Sequence, residues 1–415
     1  MSLGLIRAVG VQTAGAVFCA AVSFALLLLL GRVLGTAEFG HYVLLLNWAT
    51  LGLVLIESGW PPLLYRQGAQ SGSGPGATAR LMSAALLHVL LVGGTLALLA
   101  AALWRADGWA LALALLCMTM VAAMNLVSAR MRAVAAFGLE AGWQSAGRVV
   151  SAGLIVVLVW VMAPIEPGWI FAAWALGLLL VLGTFGRRWL VRPAALDVVA
   201  NYRRVLPFLL MGGLVAWLLK GDVVLLGSWR GGLVGPQDLS LYSAATRLSE
   251  AALLLFAPLG NVLLGRFSAL TVQVDRVSAH AELRALAGKT VAAAVVAGVL
   301  AVGIGVSFGA RLMALFFGED FSDAGDLLPW VLTMLPFALG NVVLVPLLTA
   351  LGRERTVVAC MTAAGLVLWL LLPWLCAQLG VRGAALAMTL AHALVFALGA
   401  MFAREVWSRG AKTRI

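Results

Sequence analysis

Apolar residues in this chain come in runs long enough to cross a bilayer, and that pattern excludes most folds. A spanning helix needs about 20 successive, mostly apolar residues. Twelve such runs can be read, at 12–34, 41–64, 80–104, 108–132, 143–163, 168–190, 205–228, 239–263, 288–309, 326–350, 354–378 and 382–404. They are continuous and do not alternate at period two, so helices are expected and not barrel strands. Hydrophobic types make up 63% of the 415 residues and charged types 11%, where a soluble chain needs about a quarter. The first run is of full spanning length and is preceded only by Arg7, which reads as a span and not as a cleavable signal.

The charges that remain are arranged by side. With the N-terminus in the cytoplasm, 20 of the 28 Lys and Arg fall in cytoplasmic links or span ends. Five (Arg32, Arg105, Arg230, Arg311 and Arg382) fall outside, and three (Arg148, Lys220 and Arg247) lie within spans. This asymmetry predicts a multi-pass protein of the cytoplasmic (inner) membrane with both termini cytoplasmic. It also explains the formal charge of +11 as topology and attraction to membrane lipids, with no nucleic-acid partner. The four cysteines lie in apolar runs without metal-binding spacing, so no metal, cofactor or disulfide is indicated. The longest cytoplasmic link, 264–287, has Phe267, Leu270, Val274 and Val277 at helical spacing, which predicts an amphipathic helix in the membrane interface.

A short pattern occurs twice, two hundred residues apart. VLGTAEFGHYVLL (33–45) and LVGPQDLSLYSAA (233–245) share G-x-x-[DE]-[FL]-x-x-Y, with Gly35 matching Gly235, Glu38 Asp238, Phe39 Leu239 and Tyr42 Tyr242. Each copy joins the first and second span of a set of six. Locally the motif reads as a helix stop, an N-terminal cap and an interfacial tyrosine. Its repetition predicts an all-α polytopic membrane protein with twelve transmembrane helices in two six-helix bundles around a central cavity. The expected lobes are 1–190 and 205–415, joined by a cytoplasmic linker at 191–204.

The segment LLLLLGRVLGTAEFGHYVLL…GWPPLLYRQ (26–67) resembles the opening of bacterial polysaccharide-unit (O-antigen type) flippases, which belong to the multidrug/oligosaccharidyl-lipid/polysaccharide exporter superfamily. Arg32, Leu34, Gly35, Phe39, Gly40 and Tyr42 fit that family's first link. LYSAATRLSEA (241–251), MALFFGEDFSDAGDLLPWVL (313–332), LGRERTVVACM (351–361) and LGVRGAALAMTL (379–390) are similar to its second half. The resemblance implies a translocase, not an enzyme. Its substrate would be an undecaprenyl-pyrophosphate-linked oligosaccharide, carried to the outer leaflet for surface polysaccharide synthesis by alternating access. A polysaccharide polymerase complex as partner and H+ or Na+ as coupling ion are compatible with it.

Ionisable residues inside spans are costly and therefore informative. Depth at 1.5 Å per residue brings Lys220 and Asp222 of span seven level with Arg247 and Glu250 of span eight. Two readings stand. In one, Asp222 pairs with Arg247 and Lys220 with Glu250 as a structural lock, or Arg247 and Glu250 pair at i, i+3. In the other, the groups serve transport. Arg148, Lys220, Arg247, Arg66 and Arg32 then meet the substrate's phosphates, and Glu57, Asp222 and Glu250 take the coupling ion. Lys220 and Asp222 are two positions apart, so at most one is expected to point into a cavity. Arg148, about one turn into span five, either snorkels to the interface or lines a cavity. Gly59, Pro61 and Pro62 predict a broken helix just after Glu57. Asn47, Asn125 and Gln144 either line a groove or hold helices together. Two alternative functions remain: a cation-coupled drug antiporter of the same superfamily, and a membrane glycosyltransferase or polymerase.

Overall fold

A computed structural model describes residues 3–70, 75–103, 107–162, 164–194, 198–229, 232–271 and 276–412. Arg105, Arg230, Val274, Asp275, Arg414 and positions 195–197 of the expected linker lie outside the described residues. The described residues form helices joined by short links, with no strand among them. In order, the elements are α1 (Leu3–Glu57), α2 (Trp60–Gln70), α3 (Pro75–Leu103), α4 (Gly108–Ala133), α5 (Phe137–Val161) and α6 (Pro167–Val181). There follow α7 (Val198–Ser228), α8 (Pro236–Thr271), α9 (Arg276–Phe317), α10 (Leu328–Leu332), α11 (Leu335–Ala350), α12 (Glu354–Leu379) and α13 (Val381–Lys412). Among the described residues, ten helices are long and apolar enough to cross a membrane. The first of these, within α1, carries two of the expected spans and bends at Gly35, whose φ of 69° only glycine adopts readily. This is a polytopic all-α membrane protein.

The chain divides into two compact units, Met1–Ala216 and Trp217–Ile415. In the first, α4 packs against α1, α2, α3, α5 and α6. Its small residues Ala114, Cys117, Ala122 and Ala129 are wholly buried, and they let neighbouring backbones come close where lipid offers no hydrophobic drive. In the second unit α11 packs against α8, α9, α12 and α13.

Several local expectations change. The repeat's tyrosines are not interfacial: Tyr42 is 3% exposed and stacks on Phe171 at 5.2 Å, and Tyr242 is 1% exposed. Both copies sit where a helix starts after a turn, so buried packing, not the membrane interface, selects the aromatic. The link 264–287 is not a separate interfacial helix. Its described parts extend α8 and α9, joined by an Arg266–Glu282 ion pair at 2.7 Å. Phe267 and Leu270 bury themselves in a core with Leu283, Ala287, Val357 and Ala403, so protein covers the part of the apolar face that these two form, which lipid was expected to cover.

Candidate functional site

The apolar run of α7 carries Lys220 and Asp222 toward α8, and each finds a partner there. Lys220 Nζ donates to Glu250 Oε1 at 2.7 Å, and Arg247 Nη1 donates to Glu250 Oε2 at 2.7 Å. One carboxylate thus holds two cations. In place of the expected Asp222–Arg247 pair, the Tyr242 hydroxyl donates to Asp222 Oδ2 at 2.7 Å. Antiparallel register explains the order: Asp222, later on α7, meets the earlier Tyr242 on α8, and Lys220 meets Glu250 two turns further along. The Lys220 stem is long enough to reach α8 although Lys220 and Asp222 leave α7 in different directions, so both engage the same neighbour. Gly221 between them has no side chain, which leaves room for the Trp217 ring over it, and Trp217 Nε1 reaches the Gly365 carbonyl at 3.3 Å.

Asp222 is 2% exposed, and its Oδ1 has no well-formed hydrogen bond among the described residues. Asp222 lines a narrow, partly open cavity within the second unit. One wall is polar (Asp222, Tyr242, Thr246, Ser249 and Glu250), and Met334 and Met388 lie on the other. A space of this shape accommodates an ion or water and not an oligosaccharide. A buried carboxylate with a spare oxygen, on a residue that lines such a space, is suited to taking up a proton or a small cation. If Asp222 is ionised, the four groups sum to zero charge. If it is protonated, they carry +1.

A second polar group lies in the first unit. Asn125 Nδ2 of α4 donates to Glu57 Oε1 at the end of α1, at 2.6 Å. Gln144 Nε2 of α5 approaches Asn125 Oδ1 at 3.4 Å and donates to Ser128 Oγ at 2.7 Å. Arg148 is one turn beyond Gln144, with its guanidinium over the Trp174 ring of α6 at 5.6 Å. Because α5 begins at Phe137 and not near 143, Arg148 is twelve residues into a helix of 25. Asn47 is buried in α1, 1% exposed. Arg32 lies on an exposed face of α1 before the Gly35 bend, and Arg66, on α2, lies over the Phe208 ring at 6.0 Å.

The expected break after Glu57 falls at Ser58 (φ 43°) and Gly59 (φ 78°). It frees the Leu55 carbonyl, which accepts from Ser58 Oγ at 2.6 Å and from His88 Nε2 at 3.2 Å. His88 Nε2 must then carry the proton, so Nδ1 accepts from the Tyr202 hydroxyl at 2.7 Å. Trp60 packs against both rings. A Cβ on Gly59 would lie 2.5 Å from that of Phe208, so α2 and the start of α7 meet too closely for any other residue. Sequence reasoning missed this junction. His88 and Tyr202 are 114 positions apart, and only the break itself was legible.

No family model matches this chain, and no curated protein does. Solved structures do, in 28 chains. An inward-facing multidrug resistance MATE family transporter of the MOP superfamily superposes with a TM-score of 0.71 at 14% identity, covering 98% of this chain and 100% of that one. The lipid II flippase MurJ, in an inward closed conformation, gives 0.70 at 13% identity, covering 95% and 87%. The fold is that of the MOP-superfamily transporters. A MOP superfamily transporter from Pyrococcus furiosus also matches, with a TM-score of 0.61 at 13% identity over 97% and 96% of the two chains. Drug transporter and lipid flippase fit the MOP fold of this chain equally well, so the fold alone does not select a cargo.

Proposed function

We propose that this protein translocates an undecaprenyl-diphosphate-linked oligosaccharide unit across the cytoplasmic membrane by alternating access, supplying surface polysaccharide synthesis. It acts as a transporter and not as an enzyme. The observation that carries this reading is the Lys220–Glu250–Arg247 cluster, where two cations share one carboxylate beside the spare oxygen of Asp222. An anionic diphosphate headgroup needs cations along its route. Uptake of H+ or Na+ at Asp222 would shift the cluster from neutral to net positive and so favour loading of an anion, which couples the ion to the cargo. Glu250 stays committed to the two cations in this scheme. Glu57 offers a second carboxylate, and Arg148, Arg66 and Arg32 extend the cationic route.

A cation-coupled drug antiporter is the second reading, favoured by the buried Asp222 and by the equal structural likeness to a multidrug transporter. Such a protein would load a cationic drug when Asp222 is ionised, the opposite sign of coupling. Deleting the protein in its own host separates the two. The translocase reading expects one lipid-linked oligosaccharide to accumulate on the cytoplasmic leaflet. Unchanged lipid-linked glycan pools together with increased drug sensitivity would favour the antiporter.

A further inference from the structure

The polar group of the first unit has a different chemistry from the charged cluster. Glu57, Asn125 and Gln144 are a carboxylate and two amides, the groups that answer hydroxyl and N-acyl groups of sugars. Glu57 Oε2 and Gln144 Oε1 accept no hydrogen bond among the described residues, so part of the network's capacity is unused. Arg148 adds forked N–H donors on the same face of α5, with its guanidinium over the Trp174 ring, and no carboxylate pairs with it among the described residues. Glu57, Asn125, Gln144, Arg148 and Trp174 all keep part of their surface open, although Met124, Leu126 and Gly147 beside them are buried. Amides and ions open to hydrocarbon cost several kcal/mol each. A helix face that leaves them open therefore meets water or a polar ligand.

We infer that this face reads the glycan. Gln144, Asn125 and Glu57 bind sugar hydroxyl and acetamido groups, and the Arg148–Trp174 platform binds the carboxylate of an acidic sugar. The inference rests on the translocase reading and locates sugar recognition in the first unit. A network that only held α1, α4 and α5 together would leave ligand preference unchanged when altered, and that difference is the basis of the test.

Binding is measured with the full-length protein in nanodiscs and three probes: citronellyl diphosphate, the same lipid bearing N-acetylglucosamine, and the same lipid bearing glucuronate. The wild type binds both sugar-bearing probes more tightly than the bare lipid, and glucuronate most tightly. Gln144→Ala and Asn125→Ala lose about tenfold on the sugar-bearing probes, as expected when a hydrogen-bonding site loses its partner, and bind the bare lipid as before. Arg148→Gln removes the preference for glucuronate, and Arg148→Lys restores part of it. Equal wild-type affinity for bare and sugar-bearing lipid overturns the inference and leaves the translocase reading intact. So does an equal loss on all three probes in Gln144→Ala and Asn125→Ala. A wild type that binds none of the three overturns the translocase reading, and this inference with it.

Discussion

The two units place polar groups among their helices in different ways. In the second unit, formal charges are concentrated on two adjacent helices, where Glu250 satisfies Lys220 and Arg247 together and Tyr242 holds Asp222. In the first, the group is mostly neutral: amides and a hydroxyl relay hydrogen bonds from Glu57 across α4 to α5, and the cation Arg148 rests on an aromatic ring. The difference indicates how each can respond. Removing one member of a charged cluster strands the others, so its response is nearly all-or-none. An amide chain can lose a member and re-pair, so its response is graded.

The largest expected effect follows from Glu250→Gln. Two cations then lose their shared carboxylate, and the loss should be about 3–5 kcal/mol, the range for breaking a buried pair. The thermal midpoint in detergent reports it, and Glu250→Asp should recover part. A smaller loss than that from Glu57→Gln would reverse the contrast between the units. Next in size, Asp222→Asn keeps the acceptor for Tyr242 but cannot gain or lose a proton. Transport should fall and lose its dependence on pH while the melting temperature changes little, as read by a translocation rate across a pH series. Tyr242→Phe leaves Asp222 buried without its donor and should cost about 1–3 kcal/mol; equal stability to the wild type would mean that Asp222 is satisfied elsewhere. Gln144→Ala, in the first unit, should cost about 0.6 kcal/mol, the mean for a hydrogen bond between membrane helices. A loss as large as that of Glu250→Gln would show that the amide chain is as rigid as the charged cluster.

Much of the fold was legible because length and composition constrain a membrane chain so tightly. Where twelve runs were read, ten helices long and apolar enough to cross a membrane occur among the described residues, and Gly35 and Ser58–Gly59 bend or break the chain where glycine and proline predicted. The meeting of α7 and α8 charges was legible too, since neighbouring antiparallel spans put residues of equal depth side by side. The actual pairing was not. Sequence offers charge and depth but not the hydroxyl of Tyr242, which the repeat presented as an interfacial anchor, and Asp222 took that donor in preference to Arg247. The start of α5 was set too late, near 143, because the mixed composition of 137–142 hid its first turns. Contacts such as His88–Tyr202 join distant positions through packing alone and leave no local pattern to read.

The central claim is that the charged cluster moves an anionic lipid-linked glycan, and reconstitution tests it most directly. Purified protein is placed in liposomes holding a fluorescent undecaprenyl-diphosphate-linked oligosaccharide, and an impermeant reductant quenches whatever reaches the outer leaflet. The account predicts that wild-type protein renders the inner-leaflet pool quenchable and that Asp222→Asn at equal abundance leaves it protected. An inner pool that stays protected with active wild-type protein, or that is released equally by the variant, would contradict it.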